Sequence, residues 1–286
     1  MKPSLVIKQS RLFFYGVRCA AVAVLMLALP LGASAGQGNV DNPGILPPQS
    51  HAYGKTYAEW SAEFWKWAYS LPGTNHPLFD STGEYVATGQ SGKVWFLGGT
   101  YSATESQLPQ GGTQNIGEAS RTATIPEGKA LFFPILNSEN DNFQVDKNNN
   151  QIAPSEYTEA ELREFAAFGF ESGYVNNLYC SIDGRSVNGL EDARTTLYRV
   201  KSPLFTYFLP SGDNLFEAQG FHIAGPLPPP GAVSDGMYLM VAPLPVGEHV
   251  IKFGGDYFVP GVTPDMDFLF SLDITYNLTV VPSKQK

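Results

Sequence analysis

From about residue 90 onward the chain is cut into short apolar runs by glycine, proline and asparagine, and that texture admits strands and turns more readily than helices. With 29 glycines and 22 prolines in 286 residues, few stretches stay free of helix breakers for the ten or so positions a helix needs. The runs predict strands at Lys93–Leu97, Thr122–Ile125, Ala130–Leu136, Leu178–Ile182, Leu204–Leu209, Met237–Val241, His249–Phe253 and Phe268–Val281, the last broken once. Turn signals between many short strands point to a mainly β fold. The expectation is an antiparallel β-sandwich, immunoglobulin-like or jelly-roll-like, with two accessory helices.

The first helix is expected over Tyr57–Ser70. Tyr57, Trp60, Phe64, Trp67 and Leu71 recur at three- and four-residue steps, opposite a polar stripe of Glu59, Glu63, Lys66 and Ser70. Thr56 suits the N-cap, and Pro72-Gly73 ends the helix. This aromatic stripe is read as the face that docks on the sheet. Trp65 falls between the two faces and is the residue singled out for ligand contact. A second helix is expected near 158–169, where Thr158-Glu-Ala-Glu161 fits a capping box. Residues 36–52 form an extended Gly/Pro/Asn-rich leader, and residues 53–286 a single β-rich domain that starts with the aromatic helix.

The segments YGKTYAEWSAEFWKWAYSLP (53–72), GQSGKVWFLGGTY (89–101), IPEGKALFFPILN (125–137), SDGMYLMVAPLPVGEHVIKFGG (234–255) and TYNLTVVP (275–282) resemble a set that recurs in exported bacterial proteins of unknown function. The resemblance implies one co-inherited unit and carries no activity or site residues with it.

Residues 1–35 read as a secretory signal peptide. Lys2, Lys8, Arg11 and Arg18 make a basic start, an apolar stretch runs from Cys19 through Leu31, and Ala33-Ser34-Ala35 supplies small residues for cleavage. The stretch is about 13 residues, short of the roughly 20 that span a bilayer. Secretion or a periplasmic location follows, with no membrane insertion after cleavage. A chain starting at Gly36 keeps 14 of the 18 Lys and Arg and all 27 acids, a formal charge of −13. That balance argues against a nucleic-acid partner. Cys180 is then the one remaining cysteine, expected as a buried thiol on a strand.

The most chemical-looking stretch is Asn137–Gln151. Asp146, Asn148 and Asn150 alternate like the first three ligands of a calcium loop, with Glu139 and Asp141 close by. Three departures oppose calcium: Gln151 stands where the turn needs glycine, Ile152 comes one residue early, and Tyr157 occupies the place of the bidentate acid. Gly89-Gln-Ser91-Gly92-Lys93 matches neither a nucleophile elbow nor a phosphate loop, because Lys93, Ala87 and Val94 are wrong for them. His51, His76, His222 and His249 have no metal-ligand spacing, and acid pairs such as Asp265 and Asp267 carry little information among 27 acids.

Two functions of different classes remain. One is a non-catalytic binding or structural protein whose partner is a glycan, a cell-surface component or another protein. The other is an exported hydrolase using acidic residues, with calcium as a supporting cofactor.

Overall fold

The computed structural model describes residues 42, 44–261 and 263–283; the 1–35 segment and the start of the leader lie outside these. The helices are α1 (Tyr57–Ser70), α2 (Glu159–Glu171) and α3 (Leu215–Ala218). The strands are β1 (Val94–Phe96), β2 (Thr104–Gln107), β3 (Thr113–Pro126), β4 (Ala130–Asp141), β5 (Val175–Ile182), β6 (Arg185–Ser186), β7 (Arg199–Lys201), β8 (Ala232–Val241), β9 (Gly247–Val259) and β10 (Phe268–Val281). They build a four-stranded sheet, β1-β4-β8-β7, and a six-stranded sheet, β2-β3-β10-β9-β5-β6. The fold is thus mainly β, as the texture predicted.

The sheets are mixed, which corrects the antiparallel expectation. β1 runs parallel to β4, and β3 runs parallel to β10 in unbroken register from Phe268↔Thr113 to Val281↔Pro126. Residue alternation fixes which side chains share a face but not the direction of the neighbouring strand. Two further departures concern extent. β10 is continuous, and Leu204–Leu209 is no strand, making one bridge, Phe205↔Ala232, between Pro203 and Pro210. The third helix, α3, is a single turn capped by the Asn214 carboxamide oxygen, which accepts the Phe216 and Glu217 N–H groups.

One main apolar core joins the sheets. Phe133 of β4 stacks on Phe253 of β9 at 4.7 Å between ring centroids, and Phe253 lies 6.2 Å from Tyr276 of β10. All ten residues of β8 are buried. Helix α1 covers the other side of the four-stranded sheet through Tyr57 on Phe132 (5.5 Å) and Phe64 near Tyr238 (6.3 Å). Thr56 is the N-cap that the sequence predicts, and with Glu59 it forms a capping box. The Thr56 hydroxyl accepts the Glu59 N–H (3.1 Å), and the Glu59 carboxylate accepts the Thr56 N–H (2.7 Å). Tyr57 also locks the helix to the sheet, its hydroxyl accepting the Met240 N–H of β8 at 2.8 Å.

Helix α2 starts on the Thr158–Glu161 capping box and packs on β8 and β4. Its far end is held by charge. Arg199 of β7 donates to buried Asp235 of β8 (2.7 and 2.9 Å) and to Glu171 of α2 (2.8 Å). Among the described residues no helix is long and apolar enough to cross a membrane.

Candidate functional site

The site depends on a bulge in β4. Against β8 the ladder runs Phe132↔Met240, Phe133↔Leu239, Pro134↔Tyr238 and then Leu136↔Met237, so Ile135 is an extra residue in a bulge. Pro134 explains its position, since a proline lacks the N–H a central strand must donate. A bulge shifts alternation by one. Before it, Phe132 stacks on Tyr238 on the helix side while Phe133 faces the other sheet. After it, Asn137 donates to the same Tyr238 hydroxyl at 3.0 Å, and Leu136 faces Gly255 of β9. Were the alternation unbroken through Ile135, the odd-numbered Glu139 and Asp141 would point with Phe133 into the core between the sheets. The bulge absorbs Ile135, and they face the helix side.

There they meet tyrosines. The Tyr69 hydroxyl of α1 donates to Glu139 Oε2 at 2.6 Å, and the Tyr207 hydroxyl donates to Asp141 Oδ2 at 2.8 Å. Tyr69 is the centre of a ring stack, with centroids 4.1 Å from Tyr207, 5.2 Å from Phe216 and 5.4 Å from Trp65, all within 22° of parallel. Burial, and then the Glu139 charge, push the Tyr69 hydroxyl pKa well above its ordinary value, so it stays a neutral donor. Asp141 also accepts the Phe143 N–H at 2.7 Å, which starts the turn out of β4. The carboxylates and Tyr207 are half-buried, while Phe208, next in sequence, is exposed.

The residues read as calcium ligands divide between two settings. Glu139 and Asp141 belong to the tyrosine face just described. Asp146, Asn148 and Asn150 lie in a tight turn closed by the Val145↔Gln151 bridge. Asp146 Oδ1 accepts the N–H groups of Asn148 (2.8 Å) and Asn150 (2.9 Å), and these bonds hold its carboxyl below the usual range. Asn149 takes the left-handed conformation the turn requires (φ 64°). Among the described residues no group of three or more His, Cys, Asp and Glu side chains lies together as a metal site.

Trp65 is 6 % exposed, its ring packed on Phe64 (5.6 Å) and stacked on Tyr69 (5.4 Å). Its indole Nε1 approaches the Tyr238 hydroxyl without a hydrogen bond of normal geometry. Cys180 is buried on β5, and burial alone pushes its thiol up to about 12, so it is inert as a nucleophile at neutral pH. Asp267 closes its own loop by accepting the Gly261 N–H at 2.8 Å, and Asp265 is exposed.

His76 is a structural histidine with a measurable signature. Its Nε2 donates to the Ala68 carbonyl (2.9 Å), and its Nδ1 accepts the Leu78 N–H (3.1 Å), so the ring must be neutral. Burial pushes its pKa down to about 4, overriding the Ala68 bond and the distant Asp213 charge. Between pH 6.5, the ordinary value, and about 4 the unfolded chain takes up a proton that the folded ring refuses. Its contribution is therefore complete above 6.5 and falls away as pH drops, by about 3 kcal/mol in all. Urea unfolding at pH 7 and pH 4.5 should show a steeper loss in the wild type than in His76→Gln. Equal losses would contradict this reading.

Sequence reasoning named Glu139 and Asp141, but it missed Tyr69, Tyr207 and Phe216. They come from two distant segments, 57–70 and 205–216, that only the fold brings together. The one signal that bore on the arrangement was Pro134 inside an apolar strand, which marks a bulge. No family model, curated protein or solved structure matches this chain.

Proposed function

We propose that this is an exported, non-catalytic binding protein: a two-sheet sandwich of immunoglobulin-like or jelly-roll-like type that presents the Glu139–Asp141 face to a glycan. The supporting observation is the β4 bulge at Ile135, which turns Glu139 and Asp141 to the helix side of the sheet, where Glu139 bonds to the buried Tyr69 and Asp141 lies beside the half-buried Tyr207. Carboxylate acceptors, phenol hydroxyls and aromatic rings on one face are the groups that bind sugar hydroxyls and the apolar faces of sugar rings. Export rests on the 1–35 segment, and the recurring segments of exported bacterial proteins fit the same compartment. The inert Cys180 thiol favours binding over thiol catalysis.

A panel of glycans, esters and peptides assayed for both affinity and turnover tests the reading. Saturable glycan binding without product formation is expected. Turnover that disappears in Glu139→Gln would move the assignment to an exported hydrolase, the competing function that the acidic residues allow.

A further inference from the structure

Strands β5 and β6 are joined by Asp183-Gly184, both with positive φ (50° and 77°), a two-residue turn of the kind that suits a twisted hairpin. This turn is fastened to β9. The Asp183 N–H donates to the Val250 carbonyl, and Asp183 Oδ1 accepts the Val250 N–H, each at 2.8 Å. The second carboxylate oxygen, Oδ2, lies 2.8 Å from Nδ1 of His249. On the far side of the ring, Nε2 lies 2.9 Å from the Pro245 carbonyl, in the turn between β8 and β9.

Both ring nitrogens therefore face acceptors. A neutral imidazole has one N–H and one lone pair and can donate only once, whereas the imidazolium donates twice. We propose that His249 is a pH-responsive clip: doubly protonated, it joins the β5–β6 turn to the β8–β9 turn, and on losing one proton it releases the Pro245 carbonyl. The proton that stays is the one on Nδ1, because a carboxylate is the stronger acceptor. Nε2 then presents a lone pair to a carbonyl oxygen 2.9 Å away, and the contact turns repulsive.

The turn has room to respond. Gly247 has φ 144° and open space where a Cβ would stand, and Val246 beside it is 49 % exposed. Two charged groups act on the ring: Asp183 across the turn and Glu248 beside it on β9, the latter held by the Thr279 hydroxyl at 2.9 Å. Arg185 acts on Asp183, and the residue opposite His249 on β10 is the apolar Leu278. Burial lowers the pKa of His249, but its bonds to Asp183 and Pro245 outweigh that and raise it above the ordinary histidine value. The clip is therefore fully closed below the ordinary value and opens as pH rises through the elevated one. This is opposite in sign to His76.

NMR of the full chain, titrated from about pH 5 to pH 9 across the histidine range, tests the proposal. His249 should titrate above a histidine in an unstructured peptide, and the Val246 and Gly247 amides and the Pro245 carbonyl carbon should shift with the same midpoint. Asp183→Asn should lower that midpoint, and His249→Gln should remove the pH response of the turn. A His249 midpoint at or below the peptide value, or turn resonances that ignore pH, would overturn it. Should His249→Gln fail to fold, the wild-type titration and Asp183→Asn decide the matter alone.

Discussion

Truncating Phe64 to alanine is expected to lower the free energy of unfolding by about 3–5 kcal/mol, the usual cost of emptying a buried aromatic site. Phe64 is 2 % exposed and stands where four rings converge, with centroid separations of 5.6 Å to Trp65, 5.7 Å to Trp67, 6.0 Å to Phe96 and 6.3 Å to Tyr238. It is the residue through which α1 reads both β1 and β8. Neighbours already locked in mutual ring contacts cannot collapse into the gap, so the cavity penalty adds to the lost transfer energy. Equilibrium urea unfolding checks the value. A loss below about 1 kcal/mol would mean that the helix is not seated on the sheet by this stripe.

Arg121→Met should be at least as damaging, at about 4 kcal/mol or more, although it removes a charge from the interior. The guanidinium on β3 is fully buried and spends its donors on main-chain carbonyls: Nε on Asp80 (2.7 Å), Nη1 on Gly98 (2.7 Å) and Nη2 on Gly99 (2.9 Å). Nη1 also donates to the Tyr276 hydroxyl (2.7 Å), and the guanidinium carbon lies 5.2 Å from the Tyr276 ring centre. These carbonyls belong to the long segment between α1 and β2, so the side chain fastens that segment to the six-stranded sheet. Methionine fills the volume but takes the guanidinium donors from the Asp80 and Gly99 carbonyls, at about 1–3 kcal/mol each, while Gly98 keeps the Tyr276 hydroxyl at 2.9 Å. Arg121→Lys should recover part of the loss, because an ammonium supplies charge without the planar fork. Stability within 1 kcal/mol of wild type in Arg121→Met would refute this role.

Where one element's own sequence decided its structure, the chain could be read directly. The α1 stripe and its Thr56 cap specify Tyr57–Ser70, and Thr158 with Glu161 starts α2, because caps and 3.6-residue periodicity are local physics. The apolar halves of β4, β5, β8 and β9 were likewise visible. What stayed hidden depended on partners far along the chain. Thr113–Arg121 is polar enough to look like a loop, yet it completes β3 because β10 lies parallel to it in register. Leu204–Leu209 looks like a strand, yet its backbone meets another strand at a single bridge. The site shows the same division. Glu139 and Asp141 stood out as acids, but their orientation turns on Ile135, and their tyrosine partners on the folding of residues 57–70 and 205–216 against one face.

In the proposed function a glycan is held on the helix side of β4, where the bulge places the half-buried Glu139 and Asp141 carboxylates. Isothermal titration of a panel-selected glycan into Asp141→Asn tests this, since the amide oxygen can still accept the Phe143 N–H while the amide N–H donates to the Tyr207 hydroxyl, sparing the fold. The control is Asp273→Asn, an exposed acid of β10 bonded to Tyr179 at 2.8 Å in the other sheet. Asp141→Asn should bind at least tenfold more weakly, about 1.4 kcal/mol, at an unchanged melting temperature, with wild-type affinity for the control. Wild-type affinity in Asp141→Asn, or an equal loss in both variants, would contradict it.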